Sequence, residues 1–83
     1  MQLLLYTTDH CQLCEEAEEL IYRALSGYQY ELRKVDVSES DELITGYGLR
    51  IPVLGIGQSS PEELDWPFDT HQLKDFLKQA GLD

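Results

Sequence analysis

The 83-residue sequence predicts an α/β fold in which a four-stranded mixed sheet is flanked by three helices, βαβ then ββα with the short helix between. Two observations carry that expectation. Apolar patterning switches between strand-like runs and helix-like stripes in the order strand, helix, strand, short helix, hairpin, helix. A right-handed crossover then makes the first two strands parallel, and the hairpin adds an antiparallel pair.

Leu3-Leu4-Leu5-Tyr6 is a continuous apolar run, as expected of a central strand covered on both faces. From Leu13 the apolar positions Leu13, Ala17, Leu20, Ile21, Ala24 and Leu25 are spaced for one face of a helix. Glu15, Glu16, Glu18, Glu19 and Arg23 lie elsewhere on it, and Gly27 supplies a stop. Tyr28, Tyr30 and Leu32 alternate with polar residues, whereas Val35 and Val37 follow in the opposite phase, so a strand over 29–36 with a bulge or a two-faced end is expected.

Ser38 with Asp41 has the form of a capping signal for a brief helix that carries Leu43, Ile44 and Tyr47 and ends at Gly46 or Gly48. Val53-Leu54-Gly55-Ile56 reads as a strand beginning at Pro52, where a missing N–H is tolerated. The turn Gly57-Gln58-Ser59-Ser60-Pro61 leads to a short strand around Glu63 to Trp66. For the last helix, Asp69 is the N-cap, Gln72 its box partner, and Phe68 with Leu73 the hydrophobic staple. Leu73, Phe76, Leu77 and Ala80 form its buried stripe, and Gly81 closes it.

Composition bounds the partners. Apolar residues make up 42% and charged residues 27%, ordinary globular usage, and the length suits one domain over 1–83. Sixteen acidic against six basic residues give a net charge of -10, which repels phosphate backbones and anionic lipid headgroups, so neither nucleic acid nor membrane is expected as a partner. The segment from Met1 to Tyr6 lacks a basic leader and is too short for a signal peptide or a membrane span, with Asp9 soon after. The expectation is a cytoplasmic monomer.

Cys11 and Cys14 are the only cysteines, separated by Gln12 and Leu13 between the first strand and the first helix. In a reducing compartment such a pair reads as redox-active rather than as a structural bridge. A thiol in the first helical turn meets unpaired N–H groups and the positive dipole end, both of which favour thiolate, the attacking species. Cys11 is the expected nucleophile and Cys14, a turn deeper, resolves the mixed disulfide. Opposing this, Glu15 lies one turn from Cys11 and Glu18 one turn from Cys14; each carboxylate disfavours a nearby thiolate and offsets part of the dipole effect.

His10 reads as an exposed loop residue that modestly tunes Cys11. A zinc site normally needs four ligands, and only the distant His71 is left to complete one, so no metal is expected. Glu15 rather than histidine follows Cys14, which excludes c-type haem attachment. Trp66, Phe68 and Tyr47 are read as packing residues.

Taken together, Leu5-Tyr6-Thr7 before Cys11-Gln12-Leu13-Cys14, then Gly48-Leu49-Arg50-Ile51-Pro52-Val53, then Asp65-Trp66-Pro67-Phe68-Asp69, make the chain resemble the small bacterial glutaredoxin-like proteins along essentially its whole length. The resemblance implies a thioredoxin fold with a cis Ile51–Pro52 bond facing the cysteine pair. It also implies a thiol–disulfide oxidoreductase that acts on protein or glutathione mixed disulfides, without a resident cofactor and with glutathione as a candidate reductant. In this reading Pro52 shapes the cleft and blocks metal capture, Ile51 offers its backbone to substrate, and Leu13 lines the site. Arg50 adds a charge-assisted contact, and the amino end of the last helix, Asp69 and Thr70, receives a carboxylate. Well-characterised glutaredoxins carry Cys-Pro-Tyr-Cys, Thr-Val-Pro and a Gly-Gly loop where this chain has Cys11-Gln12-Leu13-Cys14, Arg50-Ile51-Pro52 and Trp66-Pro67-Phe68-Asp69. Two other readings stay open: an iron–sulfur or metal carrier through Cys11, and a non-catalytic protein-binding adaptor.

Overall fold

The apolar run at the amino terminus forms β1 (Gln2–Thr7), followed by α1 (Gln12–Ala24), β2 (Glu31–Asp36), α2 (Asp41–Tyr47), β3 (Val53–Ile56), β4 (Glu63–Asp65) and α3 (Thr70–Gln79). The computed structural model describes residues 1–57 and 62–81, so most of the hairpin turn expected at Gly57–Pro61 lies outside the described residues. The sheet order is β2-β1-β3-β4. β1 pairs in parallel with β2 and antiparallel to β3, which pairs antiparallel with β4. This is the four-stranded mixed sheet with three helices that the pattern predicts. The Ile51–Pro52 and Trp66–Pro67 peptide bonds are both cis.

Direct partners across the sheet separate its two faces. Leu3, Leu5 and Leu54 point to the side covered by α1 and α3, where they form one cluster with Ile21, Leu25 and Phe76. Leu3, Leu5 and Leu54 are each 0% exposed, and fully burying such a side chain is worth roughly 1.5 to 3 kcal/mol. The opposite face is only half covered, since α2 contributes no buried residue. Its contact with β1 is a stack of Tyr47 on Tyr6 with ring centroids 4.1 Å apart. Tyr6 also lies against Gly55 of β3, where a Cβ would approach its ring to 3.4 Å.

Several local expectations change. Leu13 is 50% exposed, because the buried face of α1 is centred on Cys14, Ala17 and Ile21, leading to Leu25, and this rotates Leu13 outward. β2 starts at Glu31 rather than 29, and its register runs unbroken from Gln2↔Glu31 to Thr7↔Asp36. No bulge is needed, because Val37 belongs to a 3-10 turn (Val37–Glu39) after the strand and is buried there. The cap of α2 is Ser40, whose hydroxyl accepts from the Leu43 N–H at 3.4 Å, not Ser38. Ser38 instead donates its hydroxyl to Asp36 at 2.7 Å. Ile44, expected in a packed stripe, is exposed. Gly48 ends α2, where a Cβ would meet the Ile44 carbonyl oxygen.

The α3 start has both halves of its capping box: the Gln72 N–H donates to Asp69 Oδ1 at 2.7 Å and the Asp69 N–H donates to Gln72 Oε1 at 2.9 Å. Phe68 and Leu73 are both buried beside it, as the staple requires. Asp69→Ala is therefore expected to cost about 1 kcal/mol and to lower the melting midpoint by about 4 to 8 °C. Urea and thermal unfolding of the two proteins check this, and equal midpoints would refute the cap.

Asp36 accepts from the Ser38 hydroxyl, from the Ser38 N–H at 2.9 Å and from the Thr8 hydroxyl at 3.2 Å. These donors favour the carboxylate and hold the carboxyl below its ordinary value of 3.8, the Ser38 hydroxyl contributing most. A depressed folded-state value stabilises the fold above 3.8, and that stabilisation is lost as pH falls through and below it. Asp36→Asn should thus be less stable than the parent at neutral pH, with the gap narrowing below about pH 5. Urea midpoints across that range read the gap directly, and a pH-independent gap would exclude an ionic origin.

Candidate active site

The cysteine site is built by the handover from β1 to α1. Past Thr7 the chain reverses through a turn in which His10 adopts φ 57, a left-handed conformation that a short polar residue tolerates better than a β-branched one. Cys11 then occupies the N-cap of α1, with extended backbone, and its Sγ accepts from the Cys14 N–H at 3.2 Å. A sulfur thus stands where a Ser or Asp oxygen usually caps a helix, so the N–H groups of the first turn are aimed at it. Cys11 and Cys14 form a disulfide, with their Cα atoms 5.2 Å apart. Cys11 is half-buried whereas Cys14 is 3% exposed, at the head of the buried stripe of α1.

Beside the pair lies a cavity of about 270 Å³ that the sequence reading did not anticipate. Thr7, Thr8, Asp9, His10 and Glu15 line it, together with Glu18 of α1 and Lys34 and Asp36 of β2. Lys34 Nζ lies 3.3 Å from Glu18 Oε2, and the Tyr22 hydroxyl donates to the same carboxylate oxygen at 2.8 Å, which raises the Tyr22 pKa. The signal that reveals Lys34 and Asp36 is the β1–β2 register, in which Lys34 stands opposite Leu5 and Asp36 opposite Thr7. Spacing along the chain does not show it.

The other expected site residues are placed differently. Leu13 is exposed between the two cysteines. Pro52 is fully buried, and the N–H of Ile51 is taken by the Tyr47 carbonyl at 3.0 Å. Arg50 is engaged: its guanidinium reaches Asp65 at 2.8 Å and Glu63 at 3.0 Å and lies over the Tyr47 ring. Asp65 first and Glu63 second push its pKa up, so its positive charge is already matched within the protein. Tyr47, read as a packing residue, also donates its hydroxyl to Glu63, which raises the phenol well above its usual range.

At α3 the capping position is filled by Asp69's own carboxylate. Thr70 lines a separate groove with Leu20, Ala24, Arg23 and Lys74, away from the residues that line the cysteine cavity. Among the described residues no cluster of His, Cys, Asp and Glu is arranged to hold a metal ion, and no helix is long and apolar enough to cross a membrane.

Comparison with known proteins agrees with this geometry. Among solved structures, the X-ray structure of protein XcR50 from X. campestris superposes with a TM-score of 0.76 at 38% identity, covering 93% of this chain and 96% of that one. A mutant thioredoxin from Halobacterium salinarum NRC-1 gives a TM-score of 0.67 at 26% identity, over 94% of this chain and 72% of its own. Desulfothioredoxin from Desulfovibrio vulgaris Hildenborough, in its reduced form, shares the fold with a TM-score of 0.71 at 15% identity, over 94% and 79%. No curated protein shows a significant sequence match. The family described as glutaredoxin-like domain (DUF836) matches residues 2–78, a span that takes in the cysteine pair, the Ile51-Pro52 segment and nearly all of α3. The chain belongs to that glutaredoxin-like family.

Proposed function

We propose that this protein is a thiol–disulfide oxidoreductase that cycles Cys11 and Cys14 between dithiol and disulfide. The observation that carries this reading is the Cys11 sulfur at the N-cap of α1, facing the Cys14 N–H, with Cys14 buried behind it at bonding reach. In the reduced protein the same first-turn donors stabilise the Cys11 thiolate. That thiolate attacks a substrate disulfide, forms a mixed disulfide and expels one thiolate, which takes up a proton. Cys14, having lost its own proton, then attacks the Cys11 sulfur and releases the second thiol. Two electrons pass from the protein to the substrate, and the two protons lost by the cysteines end on the products.

The dithiol itself supplies the redox equivalents, so no resident cofactor is invoked. The substrate is a disulfide-containing protein or a glutathione mixed disulfide, and glutathione is the candidate reductant. A monomer working in the cytoplasm suits this chemistry, because the compartment keeps such a pair cycling. Ile51 contributes its carbonyl and Leu13 an exposed apolar contact, with buried Pro52 backing the segment from within and Arg50 serving through its grip on β4.

Equilibration with glutathione buffers, followed by acid quenching and counting of free thiols, should show Cys11–Cys14 passing from dithiol to disulfide between about -220 and -320 mV. After reduction, iodoacetamide should modify Cys11 before Cys14, as read by mass spectrometry. A pair that stays in one state across the whole range would overturn the redox reading.

Glu15 lines the same cavity as Cys11 and lies one helical turn beyond it. Glu15→Gln should lower the Cys11 pKa by about a few tenths of a unit, less at high salt. Thiolate absorbance against pH in a Cys14→Ser background measures the shift, and an unchanged or raised value would show that the carboxylate does not act on the sulfur.

A further inference from the structure

The cavity beside the disulfide carries a strong excess of negative charge. Asp9, Glu15, Glu18 and Asp36 line it, against a single cation, Lys34, which is already paired with Glu18. Thr8 and Ser38 donate to Asp36, and their dipoles keep it ionised without cancelling its charge. On the other side of the sheet, Arg50, the cation next to the Ile51-Pro52 segment, is held by Glu63 and Asp65. The chain as a whole carries -10. An approaching disulfide therefore meets carboxylates in the concave space beside Cys11, where field lines converge.

We propose that this site selects disulfides flanked by positive charge, such as a cystine bordered by Lys or Arg in a basic protein segment, and disfavours anionic ones, among them glutathione disulfide. The inference rests on the dithiol reading and narrows its substrate class. Asp9 and Glu15 are exposed and Glu18 and Asp36 are partly so, and together the four carboxylates act on the approach and seating of the substrate. The reaction is unchanged: reduced protein and RSSR give oxidised protein and two RSH, with charge on R altering only how well the substrate is received.

Three small disulfides of similar size separate the charge effect from the chemistry: cystamine with two ammonium groups, bis(2-hydroxyethyl) disulfide with none, and 3,3′-dithiodipropionate with two carboxylates. Single-turnover oxidation of the reduced protein by each is followed by acid quenching and mass spectrometry, and each rate is divided by that for dithiothreitol with the same disulfide. This removes differences in leaving-group reactivity. At low ionic strength the normalised rates should fall in the order cation, neutral, anion, with a spread on the order of tenfold or more. The spread should contract toward unity in about 1 M salt, where the screening length is about 3 Å.

The double variant Asp9→Asn, Glu15→Gln should contract it at low salt as well. Any change these substitutions make to Cys11 reactivity affects all three rates alike and leaves their ratios untouched. A pair of peptide disulfides, flanked by Lys or by Glu, should show a larger ratio than the small molecules, because a chain places its charges along the whole cavity. A larger ratio for the small molecules would instead assign the selectivity to small cationic disulfides. Reaction with all three small molecules at equal or reversed normalised rates overturns the charge inference while leaving the redox reading intact. Failure to react with any of them removes the redox reading and this inference with it.

Discussion

The cysteine end of the molecule depends on the burial of Leu3 and Leu5 under α1 and α3. Those side chains are fully enclosed, and with β2 on one side and β3 on the other they pin β1 at the centre of the sheet. α1 is then held by Ala17, Ile21 and Leu25 against the same cluster. Counting back from Ile21 along that buried stripe leads to Ala17, Cys14 and Cys11, so the spacing of the two cysteines is also the spacing of the helix face. One constraint therefore places a shielded sulfur at Cys14 and an accessible one at the N-cap. The same rotation turns Leu13 out to solvent between them.

The two faces of the sheet do different work. The α1/α3 side is closed by aliphatic and aromatic packing, and it sets the geometry of the disulfide. The α2 side is held by a smaller polar and aromatic clamp in which Tyr6, Tyr47, Arg50, Glu63 and Asp65 join β1, the segment after α2, and β4. With no buried residue in α2, this clamp ties the helix to the sheet, while the Ser40 cap closes the helix's own first turn. It also explains why Arg50 and the Ile51 N–H are occupied within the chain. The segment leading into Pro52 is fixed by hydrogen bonds and ion pairs rather than by a packed core.

Charge distribution sets this site apart from a generic dithiol. A sulfur at a helix N-terminus gains from the dipole, and the carboxylates of Glu15 and Glu18 on the same helix oppose that gain. Lys34 of β2 pairs with Glu18 of α1, leaving the exposed carboxylates of Asp9 and Glu15 to face solvent. The Cys11 sulfur thus stands at a helix N-terminus with four carboxylates lining the cavity beside it.

Element order, the parallel first pair, the hairpin, the α3 capping box and the cysteine pair were all legible in the sequence, because each is set by contacts between neighbours or by periodicity within one segment. The α2 cap lies two residues beyond the one the pattern suggests, since both Ser38 and Ser40 precede acidic residues and only the 3-10 turn decides which hydroxyl is used. The phase change that suggests a bulge or a two-faced end in β2 has the same cause, since Val37 lies past the strand and is buried in that turn. Leu13 was misplaced because several helix faces fit its apolar spacing, and only packing against the sheet chooses among them. What the tertiary structure alone decided is which charges meet. Lys34 with Glu18, Arg50 with Asp65, and Asp36 beside the cysteine cavity are pairings across strands and helices, fixed by sheet register and crossover rather than by any local pattern.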